Sequence, residues 1–470
     1  MALRLTNTLG RRKQQFVPLR NKTVRMYTCG PTVYDYAHIG NFRTYVFQDV
    51  LRRYLEYRGY RVIQVMNITD VDDKTIRQSR DEGATLREYT KKYEKAFFED
   101  IAALNVEKAE FYPRATEHIN EMVAFITKLM RKGVAYAAGD SVYFDISKFK
   151  KYGRLSGMRP KELKPGARVD SDEYSKGEAR DFVLWKGWRP EDGDAFWDTP
   201  ISKGRPGWHI ECSTMSMKYL GRTLDIHSGG EDLIFPHHEN EIAQSEAATG
   251  TRFVKYWLHS GMLLVEGRKM AKSLGNFFTL RDLLSKGHDA LAIRYLLLSA
   301  HYRAQLNFRE EELSHAEKAM EALTGTLHRL EKINAARRRT NVQLQKTLLR
   351  EKLQFEKAMD DDLNTPRALA ALHRMARAVN RAIDQGKVSR RDAATALQLV
   401  SDLDKVLGIF AQQAEARLLP EGAERLIRER DEARARRDWT TADRLREQLS
   451  AMGITIEDTP TGTTWKRKSQ

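Results

Sequence analysis

Residues 27–44, YTCGPTVYDYAHIGNFRT, decide the fold of this 470-residue chain. They end a short apolar strand predicted at 24–28, pass through a Gly-Pro turn and enter a helix predicted from Gly40 to Tyr57. Cys29 and the tetrapeptide His38–Asn41 lie between that strand and that helix. Because the N-terminus of a helix offers unpaired backbone N–H groups to an anion, the stretch predicts a phosphate site beside a thiol.

The segments on either side alternate between β-branched apolar runs and helical periodicity. A strand is predicted at 61–66, the loop NITDVDDK at 67–74, and one helix from Thr75 to Leu104. This order predicts an α/β fold with a Rossmann-like, doubly wound parallel sheet, whose ligands bind at the carboxyl ends of the strands. Residues 113–206 are rich in turns and predict an insertion that splits the sheet, and helices with charged outer faces follow at 310–385.

The composition favours a polyanionic partner. Lys and Arg number 80 against 64 for Asp and Glu, a formal net charge of +16, and the isoelectric point is about 9.6. The mean hydropathy is −0.60 and no long apolar run occurs, so no membrane partner is expected. The basic N-terminal residues lack the apolar segment of a secretion signal, and we expect a cytoplasmic protein.

Both cysteines of the chain fall in segments that also contain other metal-binding side chains. His237 and Glu241 follow Pro236 at a four-residue spacing, which places them on one face of a helix. Two thiolates, an imidazole and a carboxylate suit Zn²⁺, which accepts all three kinds of donor. Spacing alone leaves His238 or Glu239 as equally possible ligands. Cys29, Cys212, His237 and Glu241 are therefore one candidate set, and spacing does not decide between it and the neighbouring residues.

A second anion-binding motif, Lys269-Met270-Ala271-Lys272-Ser273, follows a strand-like run and precedes Gly275. Two lysines on a loop can stabilise negative charge as it moves onto pyrophosphate. Either motif alone is common in proteins. The occurrence of His38–Asn41 near one end of a split sheet domain and Lys269–Ser273 near the other is far more specific.

The sequence resembles the class I aminoacyl-tRNA synthetases, and among them the cysteinyl-tRNA synthetase family, over nearly its whole length. His38–Asn41 matches the HIGH signature of that class, and Lys269–Ser273 matches its KMSKS loop. In this family a zinc ion at the floor of the amino-acid pocket is held by residues that match Cys29, Cys212, His237 and Glu241, so the resemblance selects this set over the neighbouring candidates. The other resembling segments are NITDVDDK, GRPGWHIECS, DIHSGGEDLIFPHHENEIAQSE, MDDDLNTPRAL and DWTTADRLREQL.

The resemblance implies an activity, its partners and its site residues. We expect one Zn²⁺ per chain, Mg²⁺ with ATP, and a monomer that joins L-cysteine to the terminal ribose of tRNA(Cys) through cysteinyl-adenylate. The expected catalytic residues are His38, Asn41, Lys269 and Lys272, with Gly40 and Ser273 also binding ATP. The expected cysteine pocket is Cys29, Gly30, Thr69, Trp208 and His227. The expected anticodon contacts are Arg434, Trp439, Asp443 and Arg446.

The same resemblance implies how cysteine is selected and how the chain is divided. A zinc ion favours the thiolate form of a bound thiol, whereas serine offers a poor ligand and alanine none. A site built around such a bond can reject competitors by about 10⁴–10⁵ without editing. The expected segments are 1–112 and 207–260 (catalytic halves), 113–206 (insertion), 261–309 (signature loop and stem contact), 310–420 (helical tRNA-binding bundle) and 421–470 (small α+β anticodon module).

The sequence departs from the family pattern at three positions: Asn41 replaces a His, Ala271 replaces a Ser and Ser228 replaces a Gly. Asn41 keeps a hydrogen-bond donor, and Ala271 leaves both lysines in place. Two alternatives use only part of the pattern. An enzyme that joins cysteine to an amino sugar would not need residues 421–470, and an inactive RNA-binding protein with a structural zinc would not need His38 or the signature lysines.

Overall fold

The computed structural model describes residues 2–158, 168–169, 180–270, 274–333, 339–410, 423–436, 438–452, 454–459 and 462–467. The chain divides into two compact units, 1–407 and 408–470. Among the helices of the described ranges, none has the length and apolar content needed to cross a membrane.

The strands, in chain order, are β1 (Arg4–Asn7), β2 (Arg12–Gln15), β3 (Thr23–Thr28), β4 (Arg61–Met66), β5 (Ala135–Ala138), β6 (Ser141–Phe144), β7 (Arg168–Val169), β8 (Asp181–Gly187), β9 (Trp197–Asp198), β10 (Lys203–Pro206), β11 (Leu224–Gly230), β12 (Val254–Ser260), β13 (Leu263–Val265), β14 (Arg268–Lys269), β15 (Leu306–Phe308), β16 (Ile454–Thr459) and β17 (Gly462–Arg467). The helices are α1 (Ile39–Tyr57), α2 (Asp73–Asp81), α3 (Leu86–Ala103), α4 (Ile119–Arg131), α5 (Trp208–Leu220), α6 (His237–Thr249), α7 (Leu280–Ser285), α8 (Ala290–Leu298), α9 (Glu310–Glu331), α10 (Val342–Asp360), α11 (Thr365–Asp384), α12 (Arg390–Leu407), α13 (Ala423–Ala435) and α14 (Trp439–Ala451).

The central sheet has four parallel strands in the order β12-β11-β3-β4. From β3 the chain crosses to β4, its neighbour towards one edge of the sheet. From β11 the chain crosses to β12, its neighbour towards the other edge. A crevice therefore opens at the carboxyl ends of β3 and β11, which is where open α/β sheets bind their ligands. The predicted parallel α/β fold is confirmed, and α1 and β4 lie within one residue of their predicted limits.

One helix prediction was wrong. The single helix expected from Thr75 to Leu104 is two helices, α2 and α3. Gly83 between them adopts a φ of +66°, which a right-handed helix does not allow. Thr85 then starts α3 with a capping box, in which its hydroxyl accepts from Glu88 N and the Glu88 carboxylate accepts from Thr85 N.

The insertion between the halves of the sheet contains α4 and a second sheet. Its strands run in the order β5-β6-β8-β10-β9, paired antiparallel, with β7 paired parallel to β8. The rings of Phe144 and Phe182 stack 5.1 Å apart between β6 and β8. The insertion shares one apolar core with the parallel sheet, which includes Tyr27, Trp185 and Trp257.

The helix that follows the His38–Asn41 turn is fixed to later parts of the first unit by a buried ion-pair network. Asp49 of α1 pairs with Arg53, 2.7 Å away, and with the fully buried Arg294 of α8. Arg294 also donates to the carbonyls of Leu104 and Leu407. Burial alone would raise the pKa of Asp49, but the two guanidinium groups lower it below its usual range.

The second unit is a small α+β fold of its own. Helix α14 packs against α13 and against strand β16 of the antiparallel hairpin β16–β17. Its small apolar core is made of Ala423, Leu449, Ile454 and Ile456. This agrees with the α+β module that the sequence predicted after residue 420, while the six-segment division of the chain stays a prediction.

We predict that Asp49→Ala lowers the free energy of unfolding by about 3–5 kcal/mol, because it leaves two arginines without their buried carboxylate. The measurement is the midpoint of denaturant-induced unfolding. Asp384→Ala is the matched control, since Asp384 pairs with Arg329 on the surface and should cost less than about 1 kcal/mol. Equal losses for the two variants would contradict a structural role for the buried network.

Candidate active site

A cavity of about 300 Å³ opens at the carboxyl ends of β3 and β11. It brings together residues from four separate segments of the first unit: Cys29 and Gly30, His38 and Asn41, Trp208, and Lys269. Cys29 follows β3 directly, and its backbone N–H donates to the carbonyl of Ser228 in β11. The switch in strand order thus places this thiol on the floor of the cavity.

His38 and Asn41 form the N-terminal cap of α1. The Nδ1 atom of His38 accepts from Asn41 N at 3.2 Å, and Asn41 Oδ1 accepts from His38 N at 3.1 Å. This capping box orients both side chains at the positive end of the helix dipole. Burial lowers the pKa of His38 to about 4, so its imidazole is neutral near pH 7.

The same turn is attached to the segment that follows the second motif. Ile39 N donates to the carbonyl of Phe278, and His38 makes an antiparallel bridge with Thr279. Lys269, at the end of β14, lines the same cavity as His38. Ala271, Lys272 and Ser273 lie outside the described residues. The structure therefore brings the beginning of the second motif next to the first.

Two glycines of the cavity have no room for a side chain. A Cβ on Gly30 would lie 1.8 Å from the carbonyl oxygen of Asn67, and one on Gly40 would lie 2.9 Å from the His38 ring. Gly30 also donates its N–H to Asn67 Oδ1 at 3.0 Å. Any larger residue would move the cavity wall or the His38 cap.

Beneath the cavity floor, potential metal ligands from three elements converge. Ligand atoms of Cys29, Cys212, His237 and Glu241 all lie within 4.8 Å of one another, and all four residues are buried. His237 Nε2 is 3.2 Å from Glu241 Oε1, and its Nδ1 is 3.0 Å from His209 Nδ1, which orients the ring. The sequence-predicted set is thus one compact cluster, joined to the cavity through Cys29.

The donors of this cluster fit a zinc ion. Burial raises the pKa of both thiols and raises that of Glu241 to about 8. Among the described residues, the buried Glu241 Oε1 receives no hydrogen bond. A bound cation would offset the cost of these buried anionic groups, and two sulfurs, one nitrogen and one oxygen are donors that zinc accepts.

The structure distinguishes between His238 and Glu239, the two alternative ligands that sequence spacing left open. The Glu239 carboxylate accepts from Gly153 N and Ser156 N at 2.9 and 2.8 Å, so it binds the backbone of the insertion. It belongs to neither of the two groups of potential metal ligands in the described residues. His238, by contrast, belongs to a second set with Cys29, His227 and Glu241, which also meets the 4.8 Å limit. Only the first set contains both thiols, which favours it for zinc.

Two residues of the predicted cysteine pocket lie behind the cavity wall. Thr69 and His227 are fully buried, and neither lines the cavity. The His227 ring stacks on Trp257 at 4.5 Å and its Nε2 lies 3.0 Å from Glu241 Oε2. The Trp208 ring, which does line the cavity, stacks on the His237 ring at 4.1 Å.

Sequence reasoning missed the polar network that surrounds the cluster. His259 Nε2 lies 2.7 Å from His238 Nδ1, and Thr8 Oγ1 lies 2.7 Å from His259 Nδ1. Glu211 accepts a hydrogen bond from Thr69. The only signal for Glu211 was its place beside Cys212, and nothing in the spacing of Thr8 or His259 connects them with the cluster.

The four predicted anticodon residues lie in the second unit. Trp439, Asp443 and Arg446 occupy exposed positions on α14 at spacings of four and three, which places them on one helix face. Trp439 is 57% exposed. The Arg434 guanidinium of α13 lies 5.9 Å from the centre of the Trp439 ring. An exposed tryptophan beside a guanidinium is a surface on which a nucleobase can stack.

Comparisons with known proteins agree with this geometry. Residues 15–318 match the family model of class I (C) tRNA synthetase catalytic domains, 354–411 match the DALR domain, and 416–465 match the cysteinyl-tRNA ligase anticodon binding domain. The fold and the site thus define an enzyme of the class I aminoacyl-tRNA synthetases.

Its similarity to curated proteins extends over the whole length. A cysteine–tRNA ligase of Thermococcus onnurineus is 48% identical, with 100% of both chains covered. One from Protochlamydia amoebophila is 46% identical over 99% of this chain and 98% of its own. The chain belongs to the cysteine–tRNA ligase family, also called the cysteinyl-tRNA synthetases.

Solved structures share the fold at low sequence identity. Methionyl-tRNA synthetase of Mycobacterium tuberculosis has a TM-score of 0.58 at 14% identity, over 82% of this chain and 90% of its own. The LeuRS of Agrobacterium radiobacter has a TM-score of 0.60 at 13% identity, over 85% of each chain.

We predict that the His38 imidazole stays neutral across pH 6–8. Its pKa is lowered from 6.5 to about 4, so the stability that it contributes is present above pH 6.5 and is lost as the pH falls through about 4. Histidine resonances followed by NMR during a pH titration test this, and a His38→Gln variant identifies the signal. A midpoint near 6.5 would contradict the buried cap.

Proposed function

We propose that this chain activates L-cysteine with ATP and attaches the cysteinyl group to tRNA(Cys), and that cysteine is selected through its sulfur at a zinc centre. The observation that carries the proposal is the convergence of Cys29, Cys212, His237 and Glu241 under a cavity whose rim holds His38, Asn41 and Lys269. A thiol-selective floor and a nucleotide site would then share one cavity.

Zinc would be held by those four residues, and when bound it would supply a soft Lewis acid that prefers a sulfur ligand over a hydroxyl. The protein itself does the rest of the selection. Cys29 is the cluster member that lines the cavity, so an amino-acid side chain would approach the cluster there. Trp208, stacked on His237, would limit the space available and orient the substrate.

The rim would position ATP for attack by the cysteine carboxylate on the α-phosphorus. His38, neutral and fixed by the cap, and Asn41 would donate hydrogen bonds to the phosphates from the positive end of α1. Gly40 would leave room for the nucleotide against the backbone. Lys269, with Lys272 and Ser273, would stabilise the β- and γ-phosphates together with Mg²⁺.

The second unit would recognise the anticodon. Its match to an anticodon-binding family and the exposed row of Trp439, Asp443 and Arg446 support this assignment. Trp439 would stack on a base, while the charged side chains would read base edges. The helical bundle within 310–420 would contact the part of the tRNA that lies between its anticodon and its terminal ribose. We propose a monomer, since a single chain contains every part named here.

The experiment that tests the proposal measures cysteine-dependent exchange of pyrophosphate into ATP, followed by charging of tRNA(Cys). We expect both activities with cysteine and neither with serine. Exchange without charging would instead favour a cysteine–amino-sugar ligase, and the absence of both would favour an RNA-binding protein with a structural metal.

We predict that Cys212→Ser lowers the zinc content per chain and the cysteine-dependent exchange, because the oxygen of serine replaces one of two thiolates. Elemental analysis of the purified protein measures the first quantity. Ser216→Ala, a buried position on the same helix, is the matched control and should keep its zinc. Unchanged zinc in the Cys212→Ser protein would refute the ligand assignment.

We predict that Trp439→Ala raises the KM for tRNA in charging by about tenfold, the effect of losing one base stack. Cysteine-dependent pyrophosphate exchange, which needs no tRNA, should be unchanged. The control is Thr440→Ala, at the next exposed position of α14. Loss of exchange in the Trp439→Ala protein would show that the division between activation and anticodon reading is wrong.

A further inference from the structure

A second cavity of the first unit, of about 800 Å³, lies between the N-terminal hairpin β1–β2 and the helices α10 and α11. It is larger than the active-site cavity and shares no lining residue with it. We call it the basic groove, because its charged lining residues are four basic and two acidic ones: Arg4, Lys357, Arg367, Arg374, Asp360 and Asp361. The other lining residues are alanines and glutamines.

The walls of the basic groove are held together by the buried carboxylate of Asp362, in the turn between α10 and α11. It accepts from Thr6 N at 2.7 Å and from Thr6 Oγ1 at 2.6 Å, both in β1. It also accepts from the Tyr302 hydroxyl at 2.8 Å. Asp362 N in turn donates to the carbonyl of Arg4 at 3.0 Å. The strand and the two helices are therefore fixed to one another, and their basic side chains line one cavity.

The two carboxylates that line the groove are each paired with a cation from outside it. Asp360 Oδ2 lies 3.1 Å from Arg58 Nη1, and Asp361 Oδ1 lies 2.5 Å from Lys13 Nζ. Neither Arg58 nor Lys13 lines the groove. The hydrogen bond from Lys13 lowers the pKa of Asp361, so this carboxylate is ionised and paired near pH 7. The negative charges of the groove are thus largely neutralised from behind.

The positive charges of the groove are not neutralised to the same degree. Arg374 is held by Glu351, with 2.6 Å between Nε and Oε2. Arg4 and Arg367 are close enough for their charges to act on Asp361, which Lys13 already occupies. The exposed basic lining residues that form no ion pair among the described residues are Arg4, Lys357 and Arg367. The groove therefore presents an excess of positive charge to the solvent.

An open groove of this composition suits the phosphate backbone of a nucleic acid. Interfaces with nucleic acids are more polar and more positively charged than those between proteins. A protein partner needs apolar anchors at the centre of its interface, whereas the apolar residues that line this groove are all alanines: Ala2, Ala358 and Ala370. A single free phosphate gains little from water-exposed cations, but a backbone brings several phosphates at once and releases several counterions.

We propose that the basic groove binds the phosphodiester backbone of the tRNA through Arg4, Lys357 and Arg367. This inference rests on the proposed function, which supplies a tRNA as the partner. It assigns the contact of the helical bundle to named residues and adds the N-terminal strand to it. Contacts to the backbone carry no sequence information, so the groove contributes affinity for any tRNA and leaves selection to other parts of the chain.

The test measures the Kd of the full-length protein for tRNA(Cys) over a series of salt concentrations. Each phosphate contact contributes about 0.7–0.9 to the slope of log Kd against log salt concentration. The triple variant Arg4→Ala/Lys357→Ala/Arg367→Ala should therefore lower this slope by about two to three, and raise the Kd about 10- to 100-fold at about 0.1 M salt. A tRNA with another anticodon should show the same loss. Cysteine-dependent pyrophosphate exchange, which needs no tRNA, should be unchanged and shows that the variant is folded.

The matched control removes three exposed cations of α11 and α12 that do not line the groove, in the triple variant Arg377→Ala/Arg390→Ala/Arg391→Ala. It has the same net charge as the groove variant and should keep most of the slope. Asp361→Asn tests the opposite sign. It removes a negative charge from the groove and should lower the Kd about two- to fivefold, the effect of one nearby unit charge in water.

The possible failures are distinct. A wild-type protein that does not bind tRNA would contradict the proposed function itself. Equal losses of slope in the two triple variants, or an unchanged slope in the groove variant, would overturn this inference alone. Inorganic phosphate should weaken tRNA binding no more than chloride does at the same ionic strength. A stronger effect of phosphate that disappears in the groove variant would assign the groove to a free phosphorylated ligand and would also overturn the inference.

Discussion

The interaction on which the structure depends is the meeting of Cys29, at the end of β3, with Cys212 and the His237–Glu241 pair from two helices. It joins the two halves of the parallel sheet domain, which are separated in sequence by the whole insertion. It also requires that thiols, imidazoles and a carboxylate be buried together, an arrangement that costs free energy unless a cation or a complete hydrogen-bond network compensates. The surrounding elements provide that network.

The compensation is distributed over several elements. His209 orients His237, His259 orients His238, and the hairpin that contains Thr8 holds His259 in turn. Glu239, beside these ligands, binds the backbone of the insertion. The insertion is therefore coupled to the helix that carries two proposed ligands. The same arrangement, a buried carboxylate or imidazole fixed by a hydrogen bond or an ion pair, is found at the Glu211–Thr69 pair and at the Asp49–Arg294 pair.

Much of this arrangement could be predicted from the sequence. The strands that end at Thr28 and Met66 were identified because apolar β-branched runs end at turn residues. Cys29 and Cys212 were identified as ligands because the chain has only two cysteines, whereas His237 and Glu241 were chosen over their neighbours through the family resemblance. The break between two helices at Gly83 was not predicted, although the TLRE segment at Thr85–Glu88 has the pattern of a capping box, which marks the start of a helix. The roles of Thr8, Glu211 and His259 could not be predicted, because they depend on contacts between residues far apart in the chain.

The central claim is that the amino acid is recognised by its sulfur at a zinc centre under the cavity. X-ray absorption at the zinc edge, on the purified protein with and without cysteine, tests it most directly. The account predicts that zinc is present and that cysteine adds a sulfur neighbour to it, whereas serine leaves the metal surroundings unchanged. Protein that is active without zinc, or zinc whose sulfur neighbours do not change when cysteine binds, would contradict the account.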